Sequence, residues 1–198
     1  MQNRTFTDQL GHVISVPNPP QRIISLVPSQ TELLFDLGLD KEVIGITKFC
    51  VHPHDKFIST TRIGGTKKLD MEKIRNLRPD LIIGNKEENE QSQIEELMKD
   101  FPVWMSDIND LESAIQMIGL VGHLTERADS AGGIAAQISK RFNDIYLKGA
   151  SLKVAYIIWK DPYMLAGKNT FIDDMLSRAG FVNVINFDRY PERNAQQI

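Results

Sequence analysis

RIISLVPSQTELLFDLG, residues 22–38, is the stretch that decides the fold of this chain. Its apolar run at 23–27 is short and β-branched, which is typical of a strand covered on both faces in a parallel sheet. After Pro28, the spacing of Ser29 and Glu32 matches a capping box and predicts that a helix begins here. A ligand can reach free backbone N–H groups where a strand passes into a helix in this way.

The same order of strand and helix returns at 154–180, VAYIIWKDPYMLAGKNTFIDDMLSRAG. Between the two stretches, helical spacing extends over 111–148, with a break near Gly122 and with Thr125 as the N-cap of its second segment. We therefore predict an α/β fold class, with two lobes of mostly parallel sheets flanked by helices and joined by one long linking helix. The predicted domains are an N-terminal lobe at 1–108, a linking segment at 109–150 and a shortened C-terminal lobe at 151–198.

Local patterns add detail to the first lobe. A hairpin is expected at 5–16, and an irregular loop at 48–65 because Pro and Gly punctuate that segment. Asp70 is expected to cap a helix, and Asn109 with Glu112 has the capping pattern of another. Trp104 lies in a strand-like run and is expected in the core.

Composition excludes several classes of function. The chain has 198 residues and a formal net charge of −3, with 23 basic and 26 acidic residues, so it has no basic surface for nucleic acid. Cys50 is its only cysteine, which excludes an internal disulfide. The first 20 residues lack the basic start and apolar stretch of a signal peptide. As written the chain is predicted to be cytoplasmic, or periplasmic or on the cell surface if an upstream signal is removed.

Three segments resemble a known family: TFTDQLGHVISVPNPPQRIISLVPSQTELLFDLGLDKEVIG at 5–45, GGTKKLDMEKIRNLRPDLIIGN at 64–85 and DPYMLAGKNTFIDDMLSRAGFVNVI at 161–185. Together they resemble the substrate-binding proteins of cobalamin and iron-chelate importers, the helical-backbone class of ABC transporter binding proteins. The resemblance implies two α/β lobes joined by one long helix, with the ligand between them. Family members usually continue further, so the chain is expected to be truncated, swapped with a partner or naturally short, and its exposed apolar surface favours a homodimer.

The resemblance also implies a ligand cleft. Phe49 falls where the family carries an aromatic residue, whereas Thr66 and Asn85 stand where other members carry Trp, so a flat corrin held mainly by stacking is disfavoured. Gly64 and Gly65 allow an anionic group to approach the backbone beside the lysines that follow. The expected ligand-binding residues are Pro28, Ser29, Phe49, Thr66, Lys67, Asn85, Glu87, Trp159 and Tyr163.

Permease docking is implied at one acidic residue on each lobe. In the first lobe the matching residue is Glu72, although an acid in the first turn of a helix is equally explained by the macrodipole. In the second lobe the matching position holds Gln196, and Glu192 is the nearby carboxylate.

Cys50, His52 and His54 alternate along the chain, so an extended backbone would place all three on one side as ligands for Zn²⁺ or another transition metal. Against this, Pro53 interrupts the segment, and a histidine in a loop is more often solvated than bound to a metal.

Catalysis is disfavoured, because the chain has neither a G-x-x-x-x-G-K-S/T phosphate loop nor a G-x-G-x-x-G dinucleotide motif, and no oxyanion hole is evident. We predict a solute-binding protein that captures cobalamin or an iron chelate for an ABC permease. The alternative is a cytosolic metal or tetrapyrrole sensor or carrier with the same fold. No cofactor is required, and the ligand is cobalamin, haem, a ferric chelate or a transition metal ion.

Overall fold

The computed structural model describes residues 3–145, 152–194 and 196. Its helices are α1 (Pro28–Asp36), α2 (His54–Ser59), α3 (Met71–Leu77), α4 (Gln91–Leu97), α5 (Leu111–Leu124), α6 (Ala128–Asn143) and α7 (Phe171–Arg178). Its strands are β1 (Asn3–Thr7), β2 (Val13–Pro17), β3 (Ile23–Ser25), β4 (Val43–Ile46), β5 (Thr61–Arg62), β6 (Leu81–Asn85), β7 (Val103–Ser106), β8 (Lys153–Val154), β9 (Ile157–Trp159), β10 (Tyr163–Leu165), β11 (Val182–Asn183) and β12 (Glu192–Arg193).

The described residues form two compact units. The first unit comprises the chain up to Asp107 together with Met117–Gly133, and the second comprises Ile108–Gln116 together with the described residues from Ile134 onward. Among the described residues, no helix combines the length and the apolar character needed to cross a bilayer.

The first unit is built on a five-stranded parallel sheet in the order β5-β4-β3-β6-β7. Every residue of β3 and β6 is buried, as predicted from the continuous apolar runs of a sheet covered on both faces. Ile24 and Ile82 pair across the two central strands and belong to the same apolar cluster. Trp104 in β7 is also buried, as expected.

Helix α1 begins after β3, as predicted, but the predicted capping box is wrong. Pro28 occupies the start of the helix, Val27 is the N-cap, and no side chain caps the helix. Proline is favoured at this position because its missing N–H would have no partner there. Ser29 is exposed, and it is Thr31 that bonds back to the Val27 carbonyl, at 2.9 Å.

Of the other local predictions, two are confirmed and two are corrected by the structure. The N-terminal hairpin is confirmed, with β1 and β2 antiparallel, and so is the Asp70 cap, which accepts from the Lys73 N–H at 3.0 Å. The segment 48–65 is not wholly irregular, because it contains α2 and β5. The capping residue of α5 is Asp110 rather than Asn109, since the Asp110 carboxylate accepts from the Ser113 N–H at 2.7 Å.

The linking stretch forms two helices, α5 and α6, which divide at 125–127, just after the predicted break near Gly122. Residues 146–150 lie outside the described part of the chain. Thr125 does not cap α6. Its hydroxyl donates to the Val121 carbonyl of the preceding helix at 2.8 Å, so it closes α5 instead. A Cβ at Gly122 would lie 2.3 Å from the Cβ of Ala131, which shows that only glycine allows the helices to approach this closely here.

The second unit contains two small sheets. Strands β8 and β11 pair in parallel, whereas β9, β10 and β12 form an antiparallel sheet in which β9 is an edge. The order of strand and helix expected at 154–180 did not include β10 or the antiparallel sheet. Helix α7, with Thr170 as its cap, is the helix of that expected order.

Helix α7 is tied to the start of α5 by ionic hydrogen bonds. The Arg178 guanidinium donates to both Glu112 oxygens at 2.7 Å and to Asp174 Oδ2 at 2.8 Å. The hydrogen bonds to Asp174 and then Glu112 raise the pKa of Arg178 above its ordinary value. Asp174 also accepts from the Leu111 N–H at 2.8 Å, so one carboxylate joins the two helices.

Candidate functional site

The carboxyl ends of the parallel strands in the first unit form the candidate site. Parallel strands end at the same edge of the sheet, and ligands of open α/β sheets bind at that edge. Here the edge is formed by the start of α1 after β3, the turn 47–50 after β4 and the loop 85–89 after β6. A further loop, 64–69, follows β5.

Phe49 is the exposed aromatic residue at this edge. Its side chain is 51% exposed, and its backbone N–H donates to the Thr47 hydroxyl at 3.3 Å. A Cβ added at Gly65 would lie 3.1 Å from the Phe49 ring, so the ring packs closely over this glycine and would have to shift slightly for a larger residue. The Lys48 ammonium lies 5.1 Å from the ring centroid. The ring is therefore both presented to solvent and held in place.

A buried polar network lies beneath the Phe49 turn. The Cys50 Sγ is 3.1 Å from the hydroxyl oxygens of both Thr31 and Thr47, and the Thr31 hydroxyl is 2.8 Å from Ser25 Oγ. All four side chains are buried. The network fixes the turn against β3 and α1, which gives Cys50 a structural role.

The predicted Cys50–His52–His54 metal site is not formed in this structure. Cys50 is buried, whereas His52 and His54 are both exposed. The backbone is not extended through the segment, because α2 begins at His54. Across residues 3–145, 152–194 and 196, no three His, Cys, Asp or Glu side chains gather as metal ligands.

Asn85 and Asn89 shape the loop after β6. The Asn85 carboxamide oxygen accepts from the N–H groups of Glu87 and Glu88 at 2.9 and 3.2 Å, and its nitrogen donates to Ser106 Oγ at 2.9 Å. Asn89 accepts from the Asn85 N–H at 2.8 Å and donates to the Thr66 carbonyl at 3.1 Å. Both amides thus connect the loop to its neighbours.

Lys67 is an exposed residue on a loop that hydrogen bonds fix in place. Its ammonium donates to the Glu87 carbonyl at 2.6 Å, and its own carbonyl accepts from the Gln93 amide at 2.9 Å. Thr66 beside it is buried. The expected residues Phe49, Thr66, Lys67 and Glu87 thus all lie at the same edge of the sheet.

Sequence analysis missed Gln30 and the Ser25–Thr31–Thr47 hydroxyls. Gln30 is 1% exposed and donates to Ser106 Oγ and, at 3.2 Å, to the Gly84 carbonyl, while its Oε1 has no partner among the described residues. The available signal was a run of polar residues just after an apolar strand, where buried polar groups are expected to pair with each other.

In the second unit the expected ligand residues lie on the antiparallel sheet. Trp159, at the end of β9, is 64% exposed, and Tyr163 in β10 is partly buried. Of the two expected docking acids, Glu72 is exposed in the first turn of α3 and Glu192 is exposed in β12.

The sequence profile of the family described as Periplasmic binding protein matches residues 23–198. The chain belongs to this family. The family membership confirms the class predicted from sequence, including a binding protein rather than an enzyme.

Individual relatives are distant and longer. The uncharacterized ABC transporter substrate-binding lipoprotein YvrC of Bacillus subtilis is 28% identical over 188 residues, covering 87% of this chain and 58% of its own length. The chain therefore spans well under two thirds of that relative.

Solved structures of binding proteins have the same fold. The periplasmic vitamin B12 binding protein BtuF of Vibrio cholerae superposes with a TM-score of 0.79 at 23% identity, over 90% of this chain and 72% of that chain. The periplasmic heme-binding protein RhuT of Roseiflexus sp. RS-1 gives 0.73 at 23% identity, over 89% and 71%. The α/β fold predicted from sequence is confirmed.

Proposed function

We propose that this chain captures cobalamin or an iron chelate such as haem, and that it delivers the ligand to an ABC permease. The observation that supports this best is the exposed Phe49 ring, held by Gly65 and the buried Cys50 network at the ligand-binding edge of a parallel sheet. An aromatic face that is ordered before binding costs little entropy when a planar ligand stacks on it.

The remaining expected contacts stay part of the proposal. Pro28 and Ser29 begin α1 at the same edge as Phe49, and Trp159 and Tyr163 are the ligand contacts proposed in the second unit. Binding requires no chemistry, so no cofactor is needed, and the ligand is held by stacking, burial and hydrogen bonds.

Delivery requires a location outside the cytoplasmic membrane and a docking surface. BtuF and RhuT are described as periplasmic and YvrC as a lipoprotein, which supports that location. We propose Glu72, exposed on α3, as a contact for the permease, with Glu192 as its counterpart in the second unit. The homodimer stays a prediction, which size-exclusion chromatography with light scattering tests.

The experiment is a titration of the purified chain with cyanocobalamin, haemin and ferric siderophores, followed by thermal shift. We expect saturable stabilisation by at least one of them, since a ligand that binds only the native state raises its stability. Phe49→Ala should weaken that binding. Ile58→Ala, which removes an equally exposed apolar side chain of the same unit, should leave it unchanged. Absence of stabilisation by every ligand overturns the proposal.

A further inference from the structure

One lysine contacts the exposed Phe49 ring, and a second lies on the neighbouring loop. Lys48 places its ammonium 5.1 Å from the ring centroid, and a Cβ added at Gly65 would meet both the ring and the Lys48 stem, so the two side chains pack together over this glycine. Lys67 follows two residues after Gly65 and is exposed. Both ammonium groups thus belong to the edge of the sheet that presents the aromatic face.

These charges lack the carboxylate partners that other lysines have. Lys56, Lys73 and Lys86 each pair with an aspartate. Among the described residues, neither Lys48 nor Lys67 forms an ion pair, and the side-chain partner of Lys67 is the neutral carbonyl of Glu87 at 2.6 Å. A carbonyl orders the ammonium without neutralising it, and two of its three N–H donors stay available.

The loop that presents Lys67 is also fixed. The Gln93 amide accepts from the Leu69 N–H at 2.7 Å and donates to the Lys67 carbonyl, and Asn89 donates to the Thr66 carbonyl. Gly64, at φ +102°, turns the chain into this loop, and a Cβ there would lie 2.5 Å from the Lys68 carbonyl. The lysine is therefore attached to an ordered backbone rather than to a mobile surface loop.

We propose, resting on the function proposed above, that the ligand is planar and bears peripheral anionic groups, which Lys48 and Lys67 bind while Phe49 stacks on the ring system. The chemical class of the ligand follows from the combination of an aromatic ring with ammonium groups. An aromatic face takes a flat apolar surface, and an ammonium with free donors takes a carboxylate or a phosphate. Glu87 and Glu88 are the acidic side chains of the neighbouring loop, and their charge opposes binding of an anion, so the attraction must come from the two lysines.

The test compares haemin, which has two free carboxylates, with haemin dimethyl ester, in which both are neutral, and with cyanocobalamin. We expect haemin to bind more tightly than its ester. Lys67→Gln should weaken haemin binding about tenfold or more, because a hydrogen bond to a charged group is lost. Lys48→Gln should act in the same direction, and neither variant should change binding of the ester.

Lys99→Gln is the matched control, since Lys99 is an exposed lysine just beyond α4. It should bind haemin as the unaltered chain does. If ester and free acid bind equally, or if cyanocobalamin alone binds and the lysine variants do not affect it, the anionic ligand is ruled out while the binding function stands. If none of the three probes and no siderophore binds, both proposals fail.

Discussion

The first unit buries its strands, whereas the second leaves much of its apolar surface exposed. In the first unit the central strands β3 and β6 are buried at every position. Among the described residues of the second unit the buried apolar side chains are Leu111, Leu165 and Ala166. Its exposed large apolar side chains are Ile145, Leu152, Tyr156, Ile157, Ile158, Trp159, Val182, Val184 and Phe187.

This difference shows which interactions hold each unit. Burial of apolar surface is the main favourable contribution to folding, so the first unit has the larger core stabilisation. The second unit depends more on polar ties, such as the bonds from Arg178 to Asp174 and Glu112. Exposed ionic bonds contribute less than buried apolar contacts. Substitutions in the two units should therefore have unequal effects.

The largest effect is expected from removing a core side chain of the first unit. Ile82→Ala should lower the free energy of unfolding by about 2–5 kcal/mol, because it leaves a cavity in the buried apolar cluster that Ile82 shares with Ile24. Ile157→Ala, the same change on the exposed edge strand β9, should alter it by about 0.5 kcal/mol or less. Urea denaturation measures both. Equal losses would contradict the comparison.

A smaller loss is expected at the turn of the N-terminal hairpin. The buried Asp8 carboxylate accepts from the N–H groups of Leu10, His12 and Met105 and lies 2.9 Å from the His12 ring nitrogen. Asp8→Asn should cost about 1–3 kcal/mol, since an amide cannot accept from all these donors and a buried group is left unpaired.

Asp174→Asn is the matched substitution in the second unit. Its carboxylate also joins separate elements, yet it is partly exposed, so its replacement should cost about 1 kcal/mol or less. Thermal unfolding of both variants decides the order. A larger loss at Asp174 than at Asp8 would show that the exposed ionic bonds of the second unit contribute more than the buried carboxylate of the hairpin does.

The same contrast explains which strands could be predicted from the sequence. The runs at 23–27 and 81–85 identify their strands because a short, nearly continuous apolar segment is typical of a strand that a parallel sheet buries on both faces. Strands of two or three residues, such as β10 and β12, have no comparable periodicity, so the antiparallel sheet was missed.

At the candidate site, Phe49 was expected from the family resemblance and Lys67 from the glycines before it, and both stay predictions as ligand contacts. The role of Cys50 could not be predicted, because its partner Thr31 is 19 residues away in sequence. The alternation of Cys50 with two histidines predicts a set of metal ligands instead. Only the three-dimensional structure shows that the thiol is directed into a network of hydroxyl groups.

A pH-dependent effect is expected at the start of α5. Hydrogen bonds from the Ser113 hydroxyl and then its N–H lower the pKa of Asp110 below its usual value of 3.8. The native chain therefore holds the ionised form more strongly than the unfolded chain does, so this stabilisation is complete well above pH 3.8 and is lost as the pH falls toward the lowered native value.

Asp110→Ala should cost about 0.5–2 kcal/mol at neutral pH, as the loss of a helix cap does. The difference between variant and unaltered chain should shrink below pH 3.8. Denaturation of both at neutral and acidic pH measures it. Asp36→Ala, at an exposed acid near the end of α1, should show no such change. A constant difference across pH would contradict the role of the carboxylate.

The smallest effect on stability is expected at Trp159, and the two tryptophans together report directly on the two units. Trp104 in the first unit is 1% exposed, whereas Trp159 in the second is 64% exposed. In the unaltered chain, iodide should quench one component of the emission strongly. Trp159→Phe should remove that component with almost no loss of stability, because little buried area changes. Trp104→Phe should keep the quenchable component and lower stability, because it leaves a cavity in the core. If iodide fails to reach Trp159 in the free chain, then another surface covers β9, and the second unit is not the open, weakly buried structure from which the other predictions were derived.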